Sequence, residues 1–289
     1  MNIKKNILFI LFLIFSILLC SCSNKIKNFS KEEEHNKFSC TYENKKRYFY
    51  LYTPDSTSFE NTKLVVMLHG YGNSGRSFSR DTQFEKDALP LNYAVLYING
   101  IPNSSVKMSG PGWNYNYDNF GKTDMNFIID LIQFIQKEYG LNKETYIIGF
   151  SNGAFMTTKL AVEKPEYFKA FVSVGGMMPE TVWNHKKNKN SSVKFFQING
   201  TKDDVTPMKL NDSCKYNPNP AMEDVIEYFV KTNGITTEPV LETINNKITI
   251  TKYQDKVWWM LINDYPHSWP SQRYCEININ KIILDFFEN

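Results

Sequence analysis

The chain has 289 residues, 42% of them hydrophobic and 22% charged, which excludes a disordered or low-complexity polymer and suffices for one large domain or two small ones. Its formal charge is +3, two of those charges being Lys4 and Lys5, so no broad basic surface for nucleic acid is expected.

The N-terminus reads as an export signal. Lys4 and Lys5 precede the apolar run Ile7 to Leu19, too short for an ordinary membrane-spanning helix and of the length of a secretory core. The segment LCSC that follows, Leu19 to Cys22, resembles the lipobox of bacterial lipoproteins, with Cys22 as the acylated residue. Residues 1–21 are then a signal peptide, and Cys22 anchors the protein to a membrane at the cell envelope or surface. The plainer alternative is an ordinary signal peptide, or a short anchor, with cysteines there by accident. Residues 22–39 are polar and charged and are expected to be a tether, with a single catalytic domain over 40–289. Cys40, Cys214 and Cys275 remain after export. One disulfide is possible, with Cys214–Cys275 favoured because each follows shortly after a candidate catalytic residue; three free thiols are the alternative. No cysteine or histidine spacing suggests a metal site.

From Cys40 onward the pattern is globular. RYFYLYTP alternates as a half-buried strand, and KLVVMLHG and YAVLYING are apolar runs ending in glycine, as buried parallel strands do. The stretch TDMNFIIDLIQFIQKEYG has helical spacing, with Thr123 or Asp124 as N-cap. Strand TYIIGF, helix NGAFMTTKLAVEK, and strands KAFVSVGG and VKFFQING come next. TVWNHKKNKNSS reads as a polar loop. Helix AMEDVIEYFVKTNG, a strand pair in KITITKYQDKVWWMLIND and a closing helix NINKIILDFFEN complete the chain. Alternating strands and helices predict an α/β fold, a mostly parallel central sheet with helices on both faces.

In such a sheet, ligands sit at the carboxyl ends of the strands. Ser151 ends one strand between Gly149 and Gly153, the G-x-S-x-G pattern that holds a nucleophile on a strained strand-to-helix turn. A serine hydroxyl needs a base, and histidine titrates in the right range. The chain has four histidines. His35 lies in the tether, His185 in the polar loop, and His69 precedes Ser151. Only His267 follows both Ser151 and a core strand, which matches the serine–acid–histidine order of this fold. The acid then lies between them, with Asp203 and Asp204 both standing at a strand end. The oxyanion hole needs backbone N–H donors: Asn152, next to the nucleophile, and Tyr71, in the loop after KLVVMLHG.

The segments LVVMLHGYG, GWN, GFSNGA, GTKDDVTP and HSWP occur in the order of the secreted polyhydroxybutyrate depolymerase and feruloyl/acetylxylan esterase group of α/β-hydrolases. The resemblance covers roughly residues 47–289. It implies Asp203, rather than Asp204, as the catalytic acid, and Trp113 and Trp269 as substrate-binding residues. Tyr115 and Tyr117 suit packing as well as substrate contact. Pro266 replaces the glycine that usually precedes the histidine. The implied activity is a serine esterase acting through an acyl-enzyme on feruloyl, acetyl-polysaccharide or hydroxyalkanoate esters, with no cofactor and no metal. The alternatives are an inactive glycan-binding surface lipoprotein and a serine peptidase on the same fold.

Overall fold

The computed structural model describes residues 25–103, 108–117, 119–185, 193–208 and 219–289. Its centre is an eleven-stranded sheet. The chain enters it through three antiparallel strands, β1 (Lys27–Lys31), β2 (Lys37–Tyr42) and β3 (Lys45–Tyr52). Next come β4 (Lys63–Leu68) and β5 (Tyr93–Ile98), followed by a two-stranded side hairpin, β6 (Ile101–Asn103) and β7 (Met108–Gly112). The main sheet continues with β8 (Thr145–Phe150), β9 (Ala170–Val174), β10 (Lys194–Gly200), β11 (Val240–Asn245), β12 (Ile248–Tyr253) and β13 (Val257–Ile262). Its order is β1-β2-β3-β5-β4-β8-β9-β10-β13-β12-β11. Every pairing from β5 through β13 in this order is parallel, and antiparallel strands flank that block on both sides.

Strand geometry sends alternate side chains to opposite faces. In β4, Leu64, Val66 and Leu68 feed one core while Val65 and Met67 feed the other. The first core is closed by α3 (Asn119–Tyr139), α4 (Asn152–Glu163) and α6 (Met222–Thr232), through residues such as Phe127, Phe155 and Phe229. The second is closed by α1 (Gly75–Thr82), α2 (Phe84–Ala88) and α7 (Ile279–Glu288), through Phe78, Phe84 and Phe287. A strand buried on both faces has no polar positions to spare, which is why the central strands read as continuous apolar runs. Each fully buried Leu, Ile or Phe contributes about 1.5–3 kcal/mol.

Four expectations change. The segment expected to be a tether enters the sheet from Lys27 onward. Phe29 stacks on Phe38 and Phe49 while the neighbouring lysines face solvent. An edge strand tolerates such charge, which disguises it as linker. Helix α3 begins at Asn119, before the expected cap at Thr123 or Asp124. Asp124 instead turns inward to a buried ion pair with Arg47, at 3.2 Å. Part of the expected polar loop is a short helix, α5 (Glu180–His185), whose Val182 is buried. Cys40 and Cys275 are free, buried thiols, so Cys275 does not form the favoured bridge; Cys214 lies outside the described residues. Burial pushes both thiols up to about 11. Cys22 and the signal segment also lie outside the described residues. Among the described residues no helix is long and apolar enough to cross a membrane.

Candidate active site

The hydroxyl of Ser151 sits where β8 stops and α4 starts. Its backbone has φ 53° and ψ −118°, a conformation that L side chains rarely adopt and that costs about 1–3 kcal/mol. The two flanking glycines make the turn possible. A Cβ on Gly149 would lie 2.2 Å from the Gly153 carbonyl oxygen, and a Cβ on Gly153 would lie 2.2 Å from the Leu68 carbonyl oxygen. Strand, turn and helix therefore approach one another as only glycine permits. The Ser151 amide donates to the Val174 carbonyl at 2.9 Å, fixing the turn against β9.

Ser151 Oγ is 2.9 Å from His267 Nε2, and His267 Nδ1 is 2.7 Å from Asp203 Oδ2. A carboxylate only accepts, so Nδ1 carries the proton and Nε2 accepts from the serine hydroxyl. Asp203 is buried. Its Oδ1 accepts the amides of Val205 at 3.0 Å and Thr206 at 2.7 Å. Burial by itself raises the Asp203 pKa, but the hydrogen bonds from His267 and Thr206 outweigh it and hold the carboxyl below its ordinary value. Asp204, its neighbour, is exposed. Pro266 leaves the histidine in contact with both partners. His185, by contrast, stacks on Tyr117 at 4.2 Å and bonds the Thr181 carbonyl through Nδ1.

Thr206 escaped the sequence reading. Its buried hydroxyl lies 2.8 Å from Asp203 Oδ2, 2.9 Å from the Gly175 carbonyl oxygen and 3.3 Å from His267 Nδ1. The signal was present as Asp-x-x-Thr, a spacing at which the acid side chain accepts the amides two and three residues on.

The two expected oxyanion donors lie on adjoining segments. Asn152 opens α4, where the first amides lack intrahelical acceptors. Tyr71 follows β4; its side chain is half exposed and its hydroxyl accepts from the Gly110 amide at 3.1 Å. His69, set aside by chain order, is wholly buried. Its Nε2 accepts from the Gly100 amide at 2.9 Å, so Nδ1 donates to the Gly70 carbonyl at 2.7 Å. Burial lowers its pKa to about 4.

The two tryptophans separate. Trp269 is partly exposed, stands at 5.4 Å from Phe78 and 6.4 Å from Phe150, and so shares an aromatic wall with Phe150, which lies 5.1 Å from the His267 ring. Trp113 has no exposed surface and does not face substrate; this corrects the expectation. The loop that carries it packs inward, and its indole N–H donates to the His69 carbonyl at 3.0 Å. Among the described residues no group of three His, Cys, Asp or Glu is arranged to hold a metal ion.

Comparison with known proteins shows a likeness to esterases. Residues 55–256 match the phospholipase/carboxylesterase family model. The chain is 27% identical over 126 residues to a putative esterase, NocK, of Nocardia uniformis, covering 42% of this chain and 34% of that protein. It is 26% identical to acetylxylan esterase A of Aspergillus ficuum, over 44% of this chain and 42% of that one. With feruloyl esterase B of Thermothelomyces thermophilus it shares 28% identity, over 44% and 43%. The matches thus span under half of these relatives' length. Among solved structures, an acetyl xylan esterase from Aspergillus awamori superposes with a TM-score of 0.64 at 14% identity, covering 84% of this chain and 94% of that one. A Bacillus cereus carboxylesterase superposes with a TM-score of 0.55 at 15% identity, covering 83% and 94%. Such low identity speaks for the fold alone, and that fold is the α/β-hydrolase. With the family model spanning most of the sheet and the residues around Ser151, the chain belongs to the phospholipase/carboxylesterase family of α/β-hydrolases.

Proposed function

We propose that the protein hydrolyses carboxylic esters through an acyl-enzyme formed on Ser151. The observation that carries this reading is the continuous hydrogen-bonded chain from Ser151 Oγ through His267 to Asp203, at 2.9 and 2.7 Å. Ser151 attacks the ester carbonyl while His267 Nε2 takes its proton and returns it to the departing alcohol. Asp203 keeps the imidazole in the tautomer whose Nε2 is free to accept. The Tyr71 and Asn152 amides stabilise the tetrahedral oxyanion. Water, deprotonated by His267, then releases the acid.

Acetyl-polysaccharide, feruloyl and hydroxyalkanoate esters are the substrate classes of this reading, supported by the names of the similar proteins and by the aromatic wall of Phe150 and Trp269 beside His267. The LCSC segment supports an envelope location, through acylation of Cys22.

The test is a panel of p-nitrophenyl acetate, methyl ferulate, acetylated xylan and hydroxybutyrate oligomers, run beside Ser151→Ala and fluorophosphonate labelling. Ester turnover lost in the variant, with label on Ser151, is expected. Absence of label together with absence of turnover favours a glycan-binding protein, and turnover of peptide amides alone favours a peptidase.

A further inference from the structure

One buried residue touches the Asn152 side chain and the segment that leads to Tyr71. The backbone of Trp113 is clasped by the Asn152 side chain: the Trp113 amide donates to Asn152 Oδ1 at 2.6 Å, and Asn152 Nδ2 donates to the Trp113 carbonyl at 3.0 Å. The Trp113 indole reaches the other way, donating to the carbonyl of His69, two residues before Tyr71. The two rings also pack, with centroids 5.4 Å apart. The strand end carrying one donor and the helix start carrying the other are therefore joined through a single side chain and its own peptide.

The surroundings hold that residue still. The Asn114 amide donates to Asp124 Oδ2 at 3.0 Å, and Asp124 is fixed by the buried Arg47. Farther along the loop, Lys159 Nζ donates to the Asn116 carbonyl at 2.5 Å. On the strand side, the Gly72 amide donates to the Pro111 carbonyl at 2.7 Å, so the hairpin leading into Trp113 also grips the segment around Tyr71. Both polar atoms of the Asn152 side chain are engaged with Trp113.

We propose that Trp113 is a positioning residue: with the Asn152 side chain it sets the spacing of the Tyr71 and Asn152 amides, and so the strength with which the site holds a developing oxyanion. The inference rests on the esterase reading above. Oxyanion donors act by being fixed in advance where negative charge will appear, so a displacement well under an ångström lowers kcat while leaving ground-state binding alone. Loss of a whole donor costs about 10²–10³ in kcat, and loosening both by removing the strut is expected to cost about tenfold.

Trp113→Phe removes the indole N–H and keeps an aromatic ring; Asn152→Ala opens the clasp and keeps the backbone donor. Each is expected to lower kcat about tenfold on p-nitrophenyl acetate with KM changed less than about twofold. Each is also expected to weaken binding of a trifluoromethyl ketone, an oxyanion mimic, by the same factor as kcat/KM. The acid limb of the pH profile stays in place, because neither residue touches His267 or Asp203. The double variant falls little below the worse single one, since both break one connection. A folded variant of either kind that keeps kcat and ketone affinity within about twofold of the parent overturns the proposal; if Trp113→Phe fails to fold, Asn152→Ala decides it. Lack of Ser151-dependent ester turnover in the parent protein would instead sink the esterase reading itself.

Discussion

Asp203→Asn tests the site at its most constrained point. The carboxylate accepts from the Val205 and Thr206 amides through Oδ1, and from the Thr206 hydroxyl and His267 Nδ1 through Oδ2. The substituted amide has one oxygen and one NH₂ to fill those places. With its oxygen towards the two backbone amides, its NH₂ faces His267 and forces Nδ1 to accept. The ring proton then moves to Nε2, points at Ser151, and leaves no base for the hydroxyl. With the amide reversed, the tautomer is right but two backbone N–H groups confront an NH₂. Each such unsatisfied buried donor costs about 1–3 kcal/mol, about 2–6 kcal/mol together. At about 1.4 kcal/mol per tenfold, the competent tautomer is depleted about 30-fold to 10⁴-fold. Initial rates on p-nitrophenyl acetate near neutral pH should fall within that range, with thermal unfolding little changed because shape and burial are kept. If a folded Asp203→Asn protein retains more than about a tenth of the parent kcat, the tautomer argument is refuted.

Gly153→Ala forces a Cβ to within 2.2 Å of the Leu68 carbonyl. Overpacking of this kind costs about 1–3 kcal/mol, or a few degrees in Tm for a chain of this size, and an unchanged melting curve would contradict the close approach. Acid should destabilise the protein through His69, whose ring falls from the ordinary 6.5 to about 4 on burial. The unfolded chain binds the proton first, so this contribution is whole above about pH 6.5 and is lost as pH falls towards about 4, by up to about 3 kcal/mol. Urea unfolding at about pH 7 and about pH 4.5 should show the drop, and His69→Gln should flatten it; an equal slope in both proteins counts against the buried neutral ring.

Much of the central sheet was legible because doubly buried strands leave an uninterrupted apolar signature, as in LVVML and YIIGF. The edges were less so. Strand β1 carries lysines on its open side and resembles linker, and only the stacking of Phe29 on Phe38 and Phe49 reveals it as sheet. At the site, Ser151 and His267 could be singled out because chain order and scarcity narrowed the choice, whereas Asp203 was separated from Asp204 only by the resemblance to the esterase group. Trp113 was misread, since an aromatic residue in a loop looks the same in sequence whether it faces substrate or core. Asp124 was mistaken for a helix cap because its partner, Arg47, is 77 residues away.

By itself the sequence determined the central strands, the main helices and the chemically capable side chains, because hydrophobic period, glycine placement and residue type are local properties. Only the tertiary structure decided which way those side chains point. Ser151 and His267 are 116 residues apart and meet at 2.9 Å because β8, β10 and β13 end on one rim of the sheet. The same packing turned Trp113 and His69 inward, since burying their rings while pairing each polar atom was possible only with the chain folded around them.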